Sequence, residues 1–128
     1  MRILLDTHVA LWAITDDERL PTRVRELILE ARNEVYVSAA SVWEIAIKHG
    51  LARADMPVSG KEASAWFETA GYTLLPVSAA HAAAVEDLPP IHADPFDRLL
   101  VAQALTEPLR LVTHDRTVAR YSDSIILV

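Results

Sequence analysis

The sequence predicts a single α/β domain, residues 1–128, built on a parallel sheet, and three observations carry that reading. Short apolar runs recur at residues 3–5, 35–37, 74–75, 111–113 and 125–128. They are continuous rather than alternating, as in strands covered on both faces. Between them lie stretches with the three-to-four-residue apolar spacing of helices, and strands alternating with helices give a parallel sheet covered on both sides. A chain of 128 residues with 52% apolar and 23% charged content is large enough for a real core and is not disordered.

The elements follow in order. Residues 7–14 (THVALWAI) form a short apolar helix directly after the first strand. Asp16, Asp17 and Glu18 make a polar turn, and Pro21 suits a first helical position. Val24, Leu27, Ile28 and Ala31 give a helix over 23–31 one apolar face. Ser38 or Ser41 caps a third helix over 39–49, which Gly50 closes. Its AASVWEIAI run is apolar nearly all round, which predicts burial. After a loop at 56–60, a helix over 61–70 stops at Gly71, and a small alanine-rich helix over 78–85 is broken by Pro89 and Pro90. Asp94 and Pro95 mark the clearest helix start, at the N-cap and first helical position. That helix runs to Thr106, where Pro108 forbids extension, and a last short helix occupies 116–121.

Composition narrows the chemistry. There are no cysteines, so disulfides and thiolate metal sites are excluded, and a metal would be held by carboxylate or imidazole. The first strand begins right after Met1, which argues against a signal peptide. No apolar run approaches the ~18–20 residues that span a bilayer, so the expectation is a cytoplasmic protein without a membrane partner. A net charge of −6 argues against a broad basic DNA-binding face. Ten of the twelve basic residues are arginine, the side chain suited to phosphate.

Four acids are badly placed for a purely structural role. Asp6 ends the first strand, where open α/β sheets bind ligands, although it is equally a favoured helix cap. Glu44 is the only charge in an otherwise apolar stretch, and an i,i+4 pair with Lys48, worth ~0.3–0.5 kcal/mol on an exposed helix, does not explain it. Asp97 heads the stripe formed by Leu100, Val101, Ala104 and Leu105, so it faces the sheet, and Asp94 already serves as the cap. Asp115 leaves the fourth strand as Asp6 leaves the first. If strands one and four are neighbours, the four acids meet. Two carboxylates about 4 Å apart repel by ~4 kcal/mol at an effective dielectric near 20, so four need a cation or retained protons. Hard oxygen ligands suit Mg²⁺ or Mn²⁺, whose natural reaction here is phosphodiester hydrolysis.

The segments LLDTHVALW, SAASVWEIAIKHG, HADPFDRLLVAQA and LVTHD, in that order, resemble the motifs of PIN-domain ribonucleases, and most of all VapC-type toxins of bacterial toxin–antitoxin pairs. The likeness spans nearly the whole chain. It implies a three-layer domain with a five-stranded parallel sheet of order 3-2-1-4-5, flanked by helices. It implies Asp6, Glu44, Asp97 and Asp115 around Mg²⁺ or Mn²⁺, Glu44 in direct contact or through water, with Thr7 and Thr113 beside them. It also implies a dimeric endoribonuclease cutting RNA, inhibited by a cognate antitoxin whose tail enters the active-site groove.

Competing readings remain at this level. A haloacid-dehalogenase-like phosphatase would need a second Asp two residues after Asp6, where this chain has His8. A catalytically silent PIN-fold binding or regulatory module would not need all four acids. His8, His92 and His114 lie beside motif acids but lack the spacing of zinc enzymes. His49 and His81 read as ordinary surface or helix-end residues. Arg98 and Arg116 follow motif acids and either contact RNA or antitoxin or pair with those acids. Trp12, Trp43 and Trp66 fit core or partner packing better than base stacking. The outer side of the helices at 9–14 and 23–31 is the expected antitoxin groove.

Overall fold

The computed structural model describes residues 1–54 and 56–128. The elements are β1 (Arg2–Leu5), α1 (Thr7–Ile14), α2 (Thr22–Leu29), β2 (Glu34–Ser38), α3 (Ala39–Gly50), α4 (Gly60–Thr69), β3 (Thr73–Leu75), α5 (Ala79–Ala84), α6 (Pro95–Thr106), β4 (Arg110–Thr113), α7 (Arg116–Ala119) and β5 (Ile126–Leu127). A 3₁₀ turn, Val85–Asp87, follows α5. The five strands form one sheet of order β3-β2-β1-β4-β5, every neighbouring pair parallel.

The continuous apolar run of β1 has its cause in the layers. Successive side chains of a strand point to opposite faces. Ile3 and Leu5 pack with Val9, Val24, Ile45 and Phe67 on one side, while Leu4 packs with Leu100, Val101, Leu111 and Val118 on the other. Neither face of β1 meets water, so no polar residue is tolerated between Ile3 and Leu5. Register then sets the site: Leu5 lies opposite Val37 of β2 and Val112 of β4, so the chain leaves β1 and β4 side by side.

Four expectations are corrected. Pro21 is the residue before the first helical position, not that position itself, and α2 ends at Leu29, leaving Ala31 exposed. Gly50 does not close α3. The helix runs on through it, and Ala52 takes the left-handed conformation at φ 55°. The amide of Ala52 bonds the carbonyl of His49 and that of Arg53 the carbonyl of Lys48, the paired closing bonds of a helix end, displaced two residues past the glycine. The burial expected of α3 fails on one side, where Trp43 is 60% exposed and stacks edge-on against Phe96 at 5.2 Å. Gly60 is required by packing instead: a Cβ there would fall 2.8 Å from that of Ala46 and 3.1 Å from the Val42 carbonyl.

Candidate active site

Asp6 follows β1 directly, and its amide extends the ladder by donating to the Val112 carbonyl. Its carboxylate does two jobs. Oδ1 accepts the Val9 N–H as the cap of α1, and Oδ2 accepts the Thr113 hydroxyl at 2.5 Å. Thr113 Oγ1 in turn accepts the Asp115 N–H at 3.1 Å, so one hydroxyl ties the ends of β1 and β4 together. Asp115 caps α7 through Oδ1, leaving Oδ2 toward the cleft. Capping and site, alternatives in sequence, are therefore compatible: each aspartate uses one oxygen for its helix.

Two helices deliver the other acids. Ser38, not Ser41, caps α3, and two turns on Glu44 is almost wholly buried. Its Oε1 accepts from Thr7 Oγ1 at 2.7 Å, and its Oε2 from Lys48 Nζ at 2.5 Å. The i,i+4 pair does form, but desolvated. Asp94 caps α6 by accepting the amides of Phe96 and Asp97 at one oxygen, which leaves the Asp97 carboxyl free of that duty. Asp6, Thr7, Glu44, Asp94, Asp97 and Asp115 all line one cavity of about 480 Å³, with His8, Trp12, Lys48, His92 and His114.

Crowding shows in the proton affinities. Burial pushes the Asp97 carboxyl up to about 7, and the charges of Asp94, Asp6 and Glu44 add to it while His92 opposes. Burial also raises Asp6, against the hydrogen bonds from Thr113 and Val9. Burial acts on Asp115 the same way, but the amides of Thr117 and Val118 with His92 outweigh it, and that carboxyl sits below its ordinary value. A neutral-range carboxyl among like charges is the signature of a site waiting for positive charge. His92, Asp97 and Asp115 each offer one ligand atom within 4.8 Å of those of the other two, an imidazole nitrogen and two carboxylate oxygens, and the oxygens suit a hard divalent ion.

Sequence reasoning underestimated two histidines and left one arginine's partners open. His92 stands within the acid cluster, a position signalled only by its place two residues before Asp94 in the same motif. His81 is no surface residue: it is 2% exposed, with Nε2 at 2.6 Å from Glu107. The guanidinium of Arg98 does not pair with its neighbouring acids. It donates to the carbonyls of Val85 and Pro89 and to the Tyr121 hydroxyl. Arg116 is exposed at the start of α7. Trp12 packs on the core and also walls the cavity, between His8 and His114.

Similarity to known proteins agrees with the geometry. Ribonuclease VapC22 of Mycobacterium tuberculosis (strain ATCC 25618 / H37Rv) is 36% identical over 118 residues, 89% of this chain and 87% of that protein. The solved structure of VapBC2 from Rickettsia felis bound to a DNA fragment from their promoter matches all of this chain and 98% of its own, with TM-score 0.72 at 16% identity. FitAcB from Neisseria gonorrhoeae matches with TM-score 0.62 at 25% identity, over 98% of this chain and 96% of its own. The PIN domain family model covers residues 3–123. By that match and the VapC22 identity, the chain belongs to the PIN domain family.

Proposed function

We propose that this chain is a divalent-metal-dependent endoribonuclease, the toxin of a toxin–antitoxin pair, with Asp6, Glu44, Asp97 and Asp115 as its catalytic acids. The observation that carries the reading is the meeting of these four carboxylates in one cavity, one of them held at a pKa of about 7. The 36% identity to a ribonuclease adds the substrate class.

Oxygens of Asp6, Asp97 and Asp115 would hold Mg²⁺ or Mn²⁺, with Glu44 in direct contact or through water. Such an ion supplies Lewis acidity toward water and the phosphate oxygens. Thr113 orients Asp6 through Oδ2, and Thr7 and Lys48 fix Glu44, which orients the attacking water. Water adds to phosphorus in line, the bond to the 3′ oxygen breaks, and the proton lost by water ends on that oxygen or in solvent. The products carry a 5′ phosphate and a 3′ hydroxyl.

The protein acts in the cytoplasm as a homodimer. None of the helices among the described residues is long and apolar enough to cross a membrane. Exposed Trp43, Ile47, Leu51 and Trp66 supply apolar surface for partners, and the antitoxin lies over α1 and α2 with its tail in the acidic groove. Arg116, exposed at the start of α7 next to Asp115, contacts RNA phosphate or the antitoxin.

The experiment is cleavage of a total RNA pool by purified protein with Mg²⁺ or Mn²⁺, Asp6→Asn as control, and mapped ends. Metal-dependent cutting absent in the variant is expected. Cutting that survives Asp6→Asn, or that leaves 2′,3′-cyclic phosphates, would overturn the mechanism. No cutting under any metal would favour the silent binding module.

A further inference from the structure

His92 lies among the acids, and the chemistry above gives it no part. Its hydrogen bonds decide which nitrogen carries the proton. The Asp94 amide donates to Nδ1 at 3.0 Å, and an amide N–H can only donate, so Nδ1 is bare. Nε2 therefore carries the hydrogen. It faces Asp115 Oδ2 at 3.2 Å, with Asp97 Oδ2 at 3.6 Å. A protonated ring nitrogen has no lone pair for an ion. Ligation by Nε2 would require that proton to leave while Nδ1 still faces the Asp94 N–H.

The imidazole's mounting does not depend on an ion. The His92 N–H donates to the Tyr121 hydroxyl at 2.8 Å. Arg98 donates to that same hydroxyl at 3.0 Å and to the Val85 and Pro89 carbonyls at 3.1 Å. The segment before α6 is thus strapped to α6 and to Tyr121, two residues beyond α7. On the acid side, Asp115 has Oδ1 held by the amides of Thr117 and Val118 and Oδ2 by His92, so its carboxylate plane is set from both ends.

We propose that His92 is a positioning residue and not a metal ligand: a fixed Nε2–H donor that holds Asp115, leaving the ion to be bound by oxygens alone. This rests on the metal reading above. Outer partners of this kind typically change metal affinity by ~10–100-fold when removed.

The test uses the full chain as wild type, His92→Gln, which keeps an N–H donor at similar reach, and His92→Ala. Long-range proton–nitrogen NMR of the metal-free wild type should show hydrogen on Nε2 and none on Nδ1. Mn²⁺ affinity, read by electron paramagnetic resonance, should fall about tenfold in His92→Ala and less than about threefold in His92→Gln. Spin-echo spectra of Mn²⁺-loaded wild type should show no directly bonded nitrogen. A hydrogen on Nδ1, a coordinated nitrogen, or equal weakening in both variants overturns the inference while leaving the metal site intact. A wild type that keeps the Nε2–H bond and takes up no Mn²⁺ overturns the metal reading, and this inference falls with it.

Discussion

His81 and His92 are bonded alike. Each takes a backbone N–H on Nδ1, from Ser78 and from Asp94, both at 3.0 Å, and each turns Nε2 toward a carboxylate, Glu107 at 2.6 Å and Asp115 at 3.2 Å. Their surroundings differ. Around His81 the arrangement closes on itself: one imidazole meets one carboxylate, and Gln103 bridges to the Pro76 carbonyl, tying α5 to α6. Around His92 the acids outnumber the cations: among the described residues, Lys48 is the one lysine or arginine lining a cavity that also holds Asp6, Glu44, Asp97 and Asp115. A cluster with balanced charge holds helices together without help from outside, even though the Gln103 Oε1 beside it is left without a partner. A cluster with surplus charge of one sign is stable only with something from outside, or with a proton retained.

The largest effect should come from removing one charge of the surplus. Asp97→Asn is expected to lower RNA cleavage by on the order of a hundredfold or more, the scale of losing one charge-stabilising group, with the fold retained. Initial rates on a synthetic RNA and a circular dichroism spectrum would check it. The opposite result is expected at the closed cluster. His81→Ala should destabilise by about 2 kcal/mol, the scale of a charge-assisted hydrogen bond, and leave the rate of the folded fraction unchanged. Urea denaturation with parallel rate measurements separates the two. Loss of rate in His81→Ala without loss of stability would erase the contrast.

A smaller effect concerns protons. Asp97 titrates at about 7 in the folded chain against an ordinary 3.8. Between those values the native state holds a proton that the unfolded chain has released, so this group's contribution to stability falls as pH rises toward 7 and levels off above it. Asp6, also raised, acts in the same direction. Asp115, lowered, adds stability above 3.8 that is lost as pH falls below it. In chelator, Asp97→Asn should therefore melt progressively higher than wild type as pH climbs from about 4 to about 7. A difference independent of pH would mean an ordinary carboxyl. Mn²⁺ binding should strengthen over the same rise, because the ion displaces that proton.

The smallest effect lies far from both clusters. Ala52 occupies a left-handed conformation that an alanine adopts at a cost, so Ala52→Gly should stabilise by about 1 kcal/mol, read as a raised thermal midpoint.

What could be read from the residues followed their physics. Runs such as Ile3–Leu4–Leu5 reveal double-sided burial, and Asp94–Pro95 reveals a helix start, because those signals are local. Asp97 separates from Asp94 by its place on the apolar stripe. Strand order is not local, and it came from the resemblance alone. Gly50 misled because propensity names a good stop but does not compel one; the helix runs through it and closes at Ala52. The exposure of Trp43 and the burial of His81 are decided by which helix lies opposite, which spacing within one helix does not encode. His92 was undervalued for the same reason: its partner Asp115 lies 23 residues away.

Four carboxylates distant in the chain are proposed to form one divalent-ion site. Thermal midpoints of the wild type and of Asp97→Asn across a Mn²⁺ titration test it most directly, since an ion that binds only the folded state raises its stability with concentration. The wild-type midpoint should climb with Mn²⁺ and the variant's should stay flat. A flat wild type, or two curves that climb together, would contradict the site.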